Sequence, residues 1–207
     1  HRWQNHRFIN VGREVLERHL AAGTRTKRSM TTTLATDVLI VGCGDLGLEV
    51  ARLLIENNLK VLGLRRQITH NENFPIITGD VTQPETLKLL TQSQAKCLVY
   101  CVAANEQSDK NYQQIYVQGL KNTLAALADN SQLQHVFFVS STRMYGQLTD
   151  ALLDENDIAQ PSDFGGVRLL EAEQVLHQAA LNSKQWNSTA LRLTGIYGPG
   201  RTRMLNM

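Results

Sequence analysis

The first chemical pattern in this chain is Gly42-Cys43-Gly44-Asp45-Leu46-Gly47, a Gly-x-Gly-x-x-Gly run. Alone the spacing is weak. Its weight comes from its place in the chain. It directly follows the apolar run Val38-Leu39-Ile40-Val41 and opens a stretch in which Leu46, Val50, Leu53 and Leu54 recur at helical spacing. A strand–turn–helix junction of this kind offers unpaired N–H groups and the positive end of a helix dipole to a pyrophosphate. In that geometry Gly42 permits the tight turn and Gly44 removes a Cβ from the ligand's path. Gly47 lets the helix lie close on the strand, while Asp45 and Leu46 bring first-turn N–H groups. The competing reading is a glycine-rich turn with no ligand.

Three further positions fit a dinucleotide laid over that turn. The next strand ends in Leu64-Arg65-Arg66, where a fold that reads the ribose 2′-hydroxyl of NAD carries an acid. Two guanidiniums there suit a 2′-phosphate, which arginine grips bidentately. The pair therefore points to NADP(H), with NAD(H) the alternative; two solvated surface arginines are the plainer reading. Gly79-Asp80-Val81 follows a third short strand. Asp80 there either accepts from an adenine amino group or closes a turn as Gly-Asp pairs commonly do. Val102-Ala103-Ala104 ends a fourth strand in small residues, as a strand end approached by cofactor would.

These positions need a scaffold, and the sequence pattern supplies one. Strands are expected at 37–42, 59–64, 75–78, 97–102, 135–140 and 188–194. Helices are expected at 45–57, 84–92, 109–129 and 163–183. Alternating strands and helices imply an α/β fold with a parallel sheet and helices on both faces. The 207 residues are 42% hydrophobic and 19% charged, enough apolar material for one full core. No apolar run approaches the length of a membrane span. Cys43, Cys97 and Cys101 fit a reducing, cytoplasmic setting as buried small hydrophobes. No His or further Cys stands near Cys97 and Cys101 to complete a metal site, so no metal is expected. Ser140 and Ser141 lack the Gly-x-Ser-x-Gly elbow of a Ser-His-Asp hydrolase.

Charge separates the chain into two parts. Residues 1–30 carry seven Lys/Arg against Glu14 and Glu17, a net +5, which leaves −3 on the rest of a chain of net +2. The mildly acidic remainder gives no reason to expect nucleic-acid binding. Residues 1–36 are accordingly set apart as a basic extension, and 37–207 as the NAD(P)-binding domain. Three origins fit 1–30: a translated upstream extension with Met30 as the start, an organelle transit peptide, or a helical arm.

Two later segments sharpen the picture. Val139-Ser140-Ser141-Thr142-Arg143-Met144-Tyr145-Gly146 ends a strand in Ser-Ser before Tyr-Gly. Arg192-Leu193-Thr194-Gly195-Ile196-Tyr197-Gly198-Pro199-Gly200 follows some fifty residues later. With the glycine loop and Gly79-Asp80-Val81, these resemble the extended short-chain dehydrogenase/reductase family, the NAD-dependent epimerase/dehydratase domains, over about Asp37 to Arg201. The resemblance implies a Rossmann-type doubly wound sheet and a reductase or epimerase of a nucleotide sugar or similar polar metabolite. It also implies a homodimer through the helices at 109–129 and from about 163. Ser141 would bond the substrate. The family's Tyr-x-x-x-Lys proton-transfer pair maps onto Phe164 and Arg168. A phenyl ring has no proton to give, and a guanidinium does not deprotonate. The long helix also departs, reading Tyr116-Val117-Gln118-Gly119-Leu120 against Asn-Val-x-Gly-Thr. The chain thus resembles atypical, divergent members, and the alternative function is a catalytically silent dinucleotide-binding sensor or interaction protein. Tyr145, Tyr116 and Arg143 fall near the expected site in family terms. Tyr145 reads most simply as a packed aromatic, and Tyr116 as a core or dimer contact. The chain stops seven residues past Gly200, so the C-terminal substrate lobe is expected to be truncated.

Overall fold

A computed structural model describes residues 36–67 and 73–196. The strands are β1 (Val38–Val41), β2 (Val61–Arg65), β3 (Ile76–Thr78), β4 (Cys97–Tyr100), β5 (His135–Ser141) and β6 (Asn187–Leu193). They form one sheet in the order β3-β2-β1-β4-β5-β6, with every pair parallel. The order reverses between β1 and β4, which is the switch point where open parallel sheets take ligands at their carboxyl ends. The parallel α/β sheet expected from the alternating pattern, and the doubly wound Rossmann type that the family resemblance implies, are the architecture observed.

Strand periodicity divides the core. Leu39 and Val41 of β1 face one side with Leu62, Leu98, Tyr100 and Phe138. Val38 and Ile40 face the other with Ala51, Leu54 and Phe137. All four β1 residues are fully buried, as expected of a central strand covered on both faces. Truncating any one, Leu39→Ala for example, would cost about 2–5 kcal/mol.

The helices are α1 (Asp45–Glu56), α2 (109–126) and α3 (Phe164–Ser183). Two depart from simple expectation. Pro84–Gln92 is a 3₁₀ helix, not α; its buried Leu87 and Leu90 stand three apart, the period of that tighter helix. In α2, a π-helical stretch Gln113–Gln118 separates Asp109–Tyr112 from Gly119–Ala126. The cause is a buried hydroxyl. Tyr100 Oη donates to the Ile115 carbonyl at 2.5 Å and opens the helical ladder there. Gly119 makes room, since a Cβ on it would lie 2.5 Å from Tyr100 Oη and 2.7 Å from Val81 Cγ2.

α3 begins at Asp163, whose carboxylate accepts from Gly166 N at 2.8 Å. It ends at Lys184 in the left-handed region (φ 55°). Among the described residues no helix is long and apolar enough to cross a membrane. The basic segment 1–35 and the Tyr197-Gly198-Pro199-Gly200 motif lie outside the described residues.

Candidate functional site at the carboxyl edge of the sheet

The glycine loop sits between β1 and α1, fastened on both sides. Gly42 N donates to Leu64 O of β2 at 3.0 Å, and Cys101, just beyond β4, donates its Sγ–H to Gly42 O at 3.1 Å. The three glycines meet different surroundings. Gly42 has φ +102°, and a Cβ there would lie 2.6 Å from Val102 N. A Cβ on Gly47 would strike the Gly42 carbonyl and come within 3.1 Å of Cys101 Sγ. Gly44 is exposed, and a Cβ on it would meet nothing within 4 Å. Two of the three are thus required by the protein's own packing, and the third opens onto space at the first turn of α1. Gly44 caps that helix without a side-chain acceptor, so the first-turn N–H groups, Leu46 and Gly47 among them, point toward that opening. Asp45 at the first helical position is exposed.

The remaining cofactor candidates line the same edge. Arg65 closes β2 half-buried, and Arg66 follows exposed. Asp80 commits one oxygen to a turn: Oδ1 accepts from Thr82 N at 2.8 Å and from Thr82 Oγ1 at 2.7 Å. Its Oδ2 makes no such bond among the described residues. Val81 is buried and its carbonyl accepts from Asn122 Nδ2 at 2.7 Å. Beyond β4, Val102 packs on the core, Ala103 is exposed, and Ala104 N donates to Tyr116 Oη at 3.2 Å. Burial pushes the Tyr116 hydroxyl above the usual tyrosine range. Burial also pushes the Cys101 thiol up to about 12, so it stays protonated as a donor to Gly42.

A second group gathers where β5 meets α3. Ser141 ends β5, and its Oγ accepts from Arg143 N at 3.2 Å. Phe164 opens α3 half-buried. Its ring stands edge-on to Tyr112 at 5.3 Å and under the Arg143 guanidinium at 5.4 Å. Arg168 is turned toward the start of α2. It bonds Asp109 through Nε and Nη2 at 2.7 and 2.9 Å, and Glu171 through Nη1 at 2.7 Å. Ser141 and Phe164 are therefore linked through Arg143, and Arg168 is held apart by two carboxylates.

Sequence reasoning singled out Arg143 only loosely and did not single out Tyr112, Gln107 or Asp163. Arg143 Nε donates to both Asp163 oxygens at 3.1 and 2.9 Å. Its Nη1 donates to Tyr112 Oη at 2.9 Å and to Gln107 Oε1 at 3.3 Å. Burial works against the charge, but Asp163 and Tyr112 outweigh it and hold the guanidinium cationic. The usable signal was Tyr112 four residues before Tyr116, on one helix face; their rings meet edge-on at 5.1 Å. Tyr145 is held at its hydroxyl. Its hydroxyl donates to Asp154 O at 2.7 Å and accepts from Arg192, which pairs with the buried Glu173 at 2.9 Å.

Comparison with known proteins follows this geometry. Residues 38–207 match the NAD dependent epimerase/dehydratase family. Among solved structures, a Methylobacillus flagellatus protein described as an NAD-dependent epimerase/dehydratase is 46% identical with a TM-score of 0.71. The match covers 83% of this chain and 58% of that one. MoeE5 in complex with UDP-glucose and NAD is 23% identical with a TM-score of 0.68, covering 80% and 56%. UDP-glucose 4-epimerase from Brucella ovis in complex with NAD is 23% identical with a TM-score of 0.66, covering 76% and 51%. At 23% identity the last two speak for the fold alone. No curated protein sequence matches this chain. The chain spans a little over half the length of these relatives, and it belongs to the NAD-dependent epimerase/dehydratase family.

Proposed function

We propose that this family member is the cofactor-binding part of an NAD(P)-dependent reductase, epimerase or dehydratase acting on a nucleotide sugar or similarly polar metabolite. The observation that carries this reading is the glycine cradle. A Cβ at Gly42 or Gly47 would strike protein, whereas one at Gly44 would enter open space at the N-terminus of α1. That is the shape and polarity a pyrophosphate requires. When bound, the dinucleotide supplies hydride chemistry. The first-turn N–H groups of Asp45, Leu46 and Gly47 hold the pyrophosphate. Arg65 and Arg66 take the 2′-phosphate of NADP(H), Oδ2 of Asp80 takes the adenine amino group, and Val102, Ala103 and Ala104 line the approach. Ser141 bonds the substrate. The nucleotide sugar is supported by relatives of the same fold that carry UDP-glucose and NAD. A homodimer is expected through the outer faces of α2 and α3, and light scattering reads it directly.

A second reading, a dinucleotide-binding protein without turnover, is favoured by the tyrosine and lysine positions. Phe164 has no exchangeable proton, and Arg168 is occupied by Asp109 and Glu171. Calorimetric titration with NADPH and NADH tests the cofactor. NADPH is expected to bind about ten- to hundredfold tighter, the worth of a charged hydrogen bond, and Arg65→Ala with Arg66→Ala should erase the difference. Equal affinities would remove NADP(H) from the reading. Phe164→Tyr with Arg168→Lys, in a chain extended past Met207, then separates the two readings. Turnover gained by this pair on a UDP-sugar favours a lost catalytic centre. Turnover already present in the wild type sinks the silent reading.

A further inference from the structure

We propose that Arg143 is the substrate-recognition residue of this chain and that it binds an oxyanion, a carboxylate or a phosphate, through its Nη2 edge. The inference rests on the reading of the carboxyl sheet edge as the cofactor and substrate side, and the test below separates the two.

Two of the three guanidinium nitrogens are held by protein. Nε is fixed by both oxygens of Asp163, and Nη1 by Tyr112 and Gln107. The guanidinium carbon lies 5.3 Å from the Tyr112 ring centre and 5.4 Å from that of Phe164, within cation–π reach of both. The backbone has been cleared for it. A Cβ on Gly165 would strike the guanidinium carbon and come within 2.7 Å of Nε and Nη1, and a Cβ on Gly166 would lie 2.7 Å from the Arg143 carbonyl. Two adjacent glycines in the first turn of a helix lower helix propensity. Here Gly165 gives the guanidinium its place against the helix, and Gly166 lets the helix lie close on the Arg143–Met144 backbone.

What is left over is Nη2. Its N–H groups have no hydrogen-bond partner among the described residues, and the side chain is 33% exposed. This edge of a fixed guanidinium is open to a ligand. A recognition arginine needs such an edge, since a fixed guanidinium loses little freedom when an oxyanion docks. The location agrees: Arg143 lies two residues past the end of β5, its N–H bonded to Ser141 Oγ. Asp163 is accounted for as the clamp. It accepts from Gly166 N and from Nε together, which orients Nη2 without covering it.

The test uses this chain saturated with NADP⁺. Glucuronate, glucose 6-phosphate and glucose are titrated, and binding is read from ligand NMR and from the Arg143 Nε–H resonance. At least one of the two anions is expected to bind about tenfold or more tightly than glucose and to move that resonance. Which of them does so assigns carboxylate or phosphate. Arg143→Gln should abolish the preference and Arg143→Lys recover part of it, while Arg52→Gln, a surface control on α1, leaves it intact. Asp163→Asn keeps the arginine but frees it, and should weaken the anion severalfold; this arm stands even where Arg143→Gln fails to fold. Equal binding of glucose and both anions overturns the proposal, as does no binding of any of them. So does an anion preference that survives Arg143→Gln or fails to move the Nε–H signal. Failure of NADP⁺ itself to bind falls on the cofactor reading; the anion titrations run equally on the chain alone and judge Arg143 there.

Discussion

Replacing the loop glycines one at a time separates folding from binding. The surroundings of an added methyl differ sharply at the three positions. At Gly44 it would meet no protein atom within 4 Å, and φ there is −82°, which alanine adopts freely. Losing a glycine N-cap costs alanine a few tenths to about 1 kcal/mol, and the stiffer unfolded chain returns about 0.4–1 kcal/mol. Gly44→Ala should therefore leave stability within about 0.5 kcal/mol of wild type. At Gly47 the methyl would collide with the Gly42 carbonyl, so α1 must move off β1, at a cost of about 1–3 kcal/mol. At Gly42 the same order of strain comes from φ +102° and from Val102 N at 2.6 Å. Denaturant titration reads these differences. Calorimetry with NADP⁺ reads the other half. Gly44→Ala should lose about tenfold or more in affinity while folding normally, because its methyl occupies the space left for the pyrophosphate. A Gly44→Ala chain that binds as well as wild type would refute the placement of the dinucleotide over this loop. One that unfolds would refute the claim that the space beside Gly44 is open.

Other consequences follow from the same contacts. Tyr100→Phe leaves the Ile115 carbonyl without its donor in a fully buried site and should cost about 1–3 kcal/mol by denaturant titration; a neutral effect would mean the π-helical stretch closes without the hydroxyl. Burial pushes the Cys97 and Cys101 thiols up to about 12, so labelling with a thiol-specific disulfide at pH 7 should be slow for both in the folded chain and fast in denaturant. Bonds from Gly166 N and Arg143, outweighing burial, hold Asp163 below its usual value of 3.8. Its contribution to stability is thus present above pH 3.8 and lost as pH falls through its lowered value. Asp163→Asn should flatten that part of the acid unfolding curve; an unchanged curve would discount the clamp.

Much of this fold is legible in the sequence because its signals are local. Val38-Leu39-Ile40-Val41 is apolar on both faces, and only a strand covered on both sides tolerates that. The glycine loop is legible for a similar reason, since its chemistry lies within six consecutive residues. The second group is not local. Arg143, Tyr112, Asp163 and Gly165 come from the end of β5, the start of α2 and the start of α3, and nothing in their spacing announces that they meet. Nor does a sequence show that Tyr100 breaks the α2 ladder from a strand fifteen residues earlier. Asp80 sits between these cases: spacing leaves the turn reading and the adenine reading level, and the geometry shows Oδ1 closing the turn.

On the reading that Phe164 and Arg168 stand at the family's tyrosine and lysine positions, the contacts of both side chains bear on that chemistry. Tyrosine–lysine proton transfer needs a hydroxyl and a movable, solvated cation one helical turn apart. In this chain the cation one turn on, Arg168, is consumed by Asp109 and Glu171, which staples α3 to α2. The ring at the first position, Phe164, has become one face of the Arg143 enclosure. A hydroxyl on that ring would enter an assembly in which Tyr112 Oη already occupies Arg143 Nη1. Asp163, Tyr112 and Phe164 form one assembly around Arg143, while Arg168 belongs to a separate ion-pair group between α3 and α2. The same edge of the sheet thus carries a glycine loop fixed by its own packing and an arginine whose Nε and Nη1 are held by Asp163, Tyr112 and Gln107.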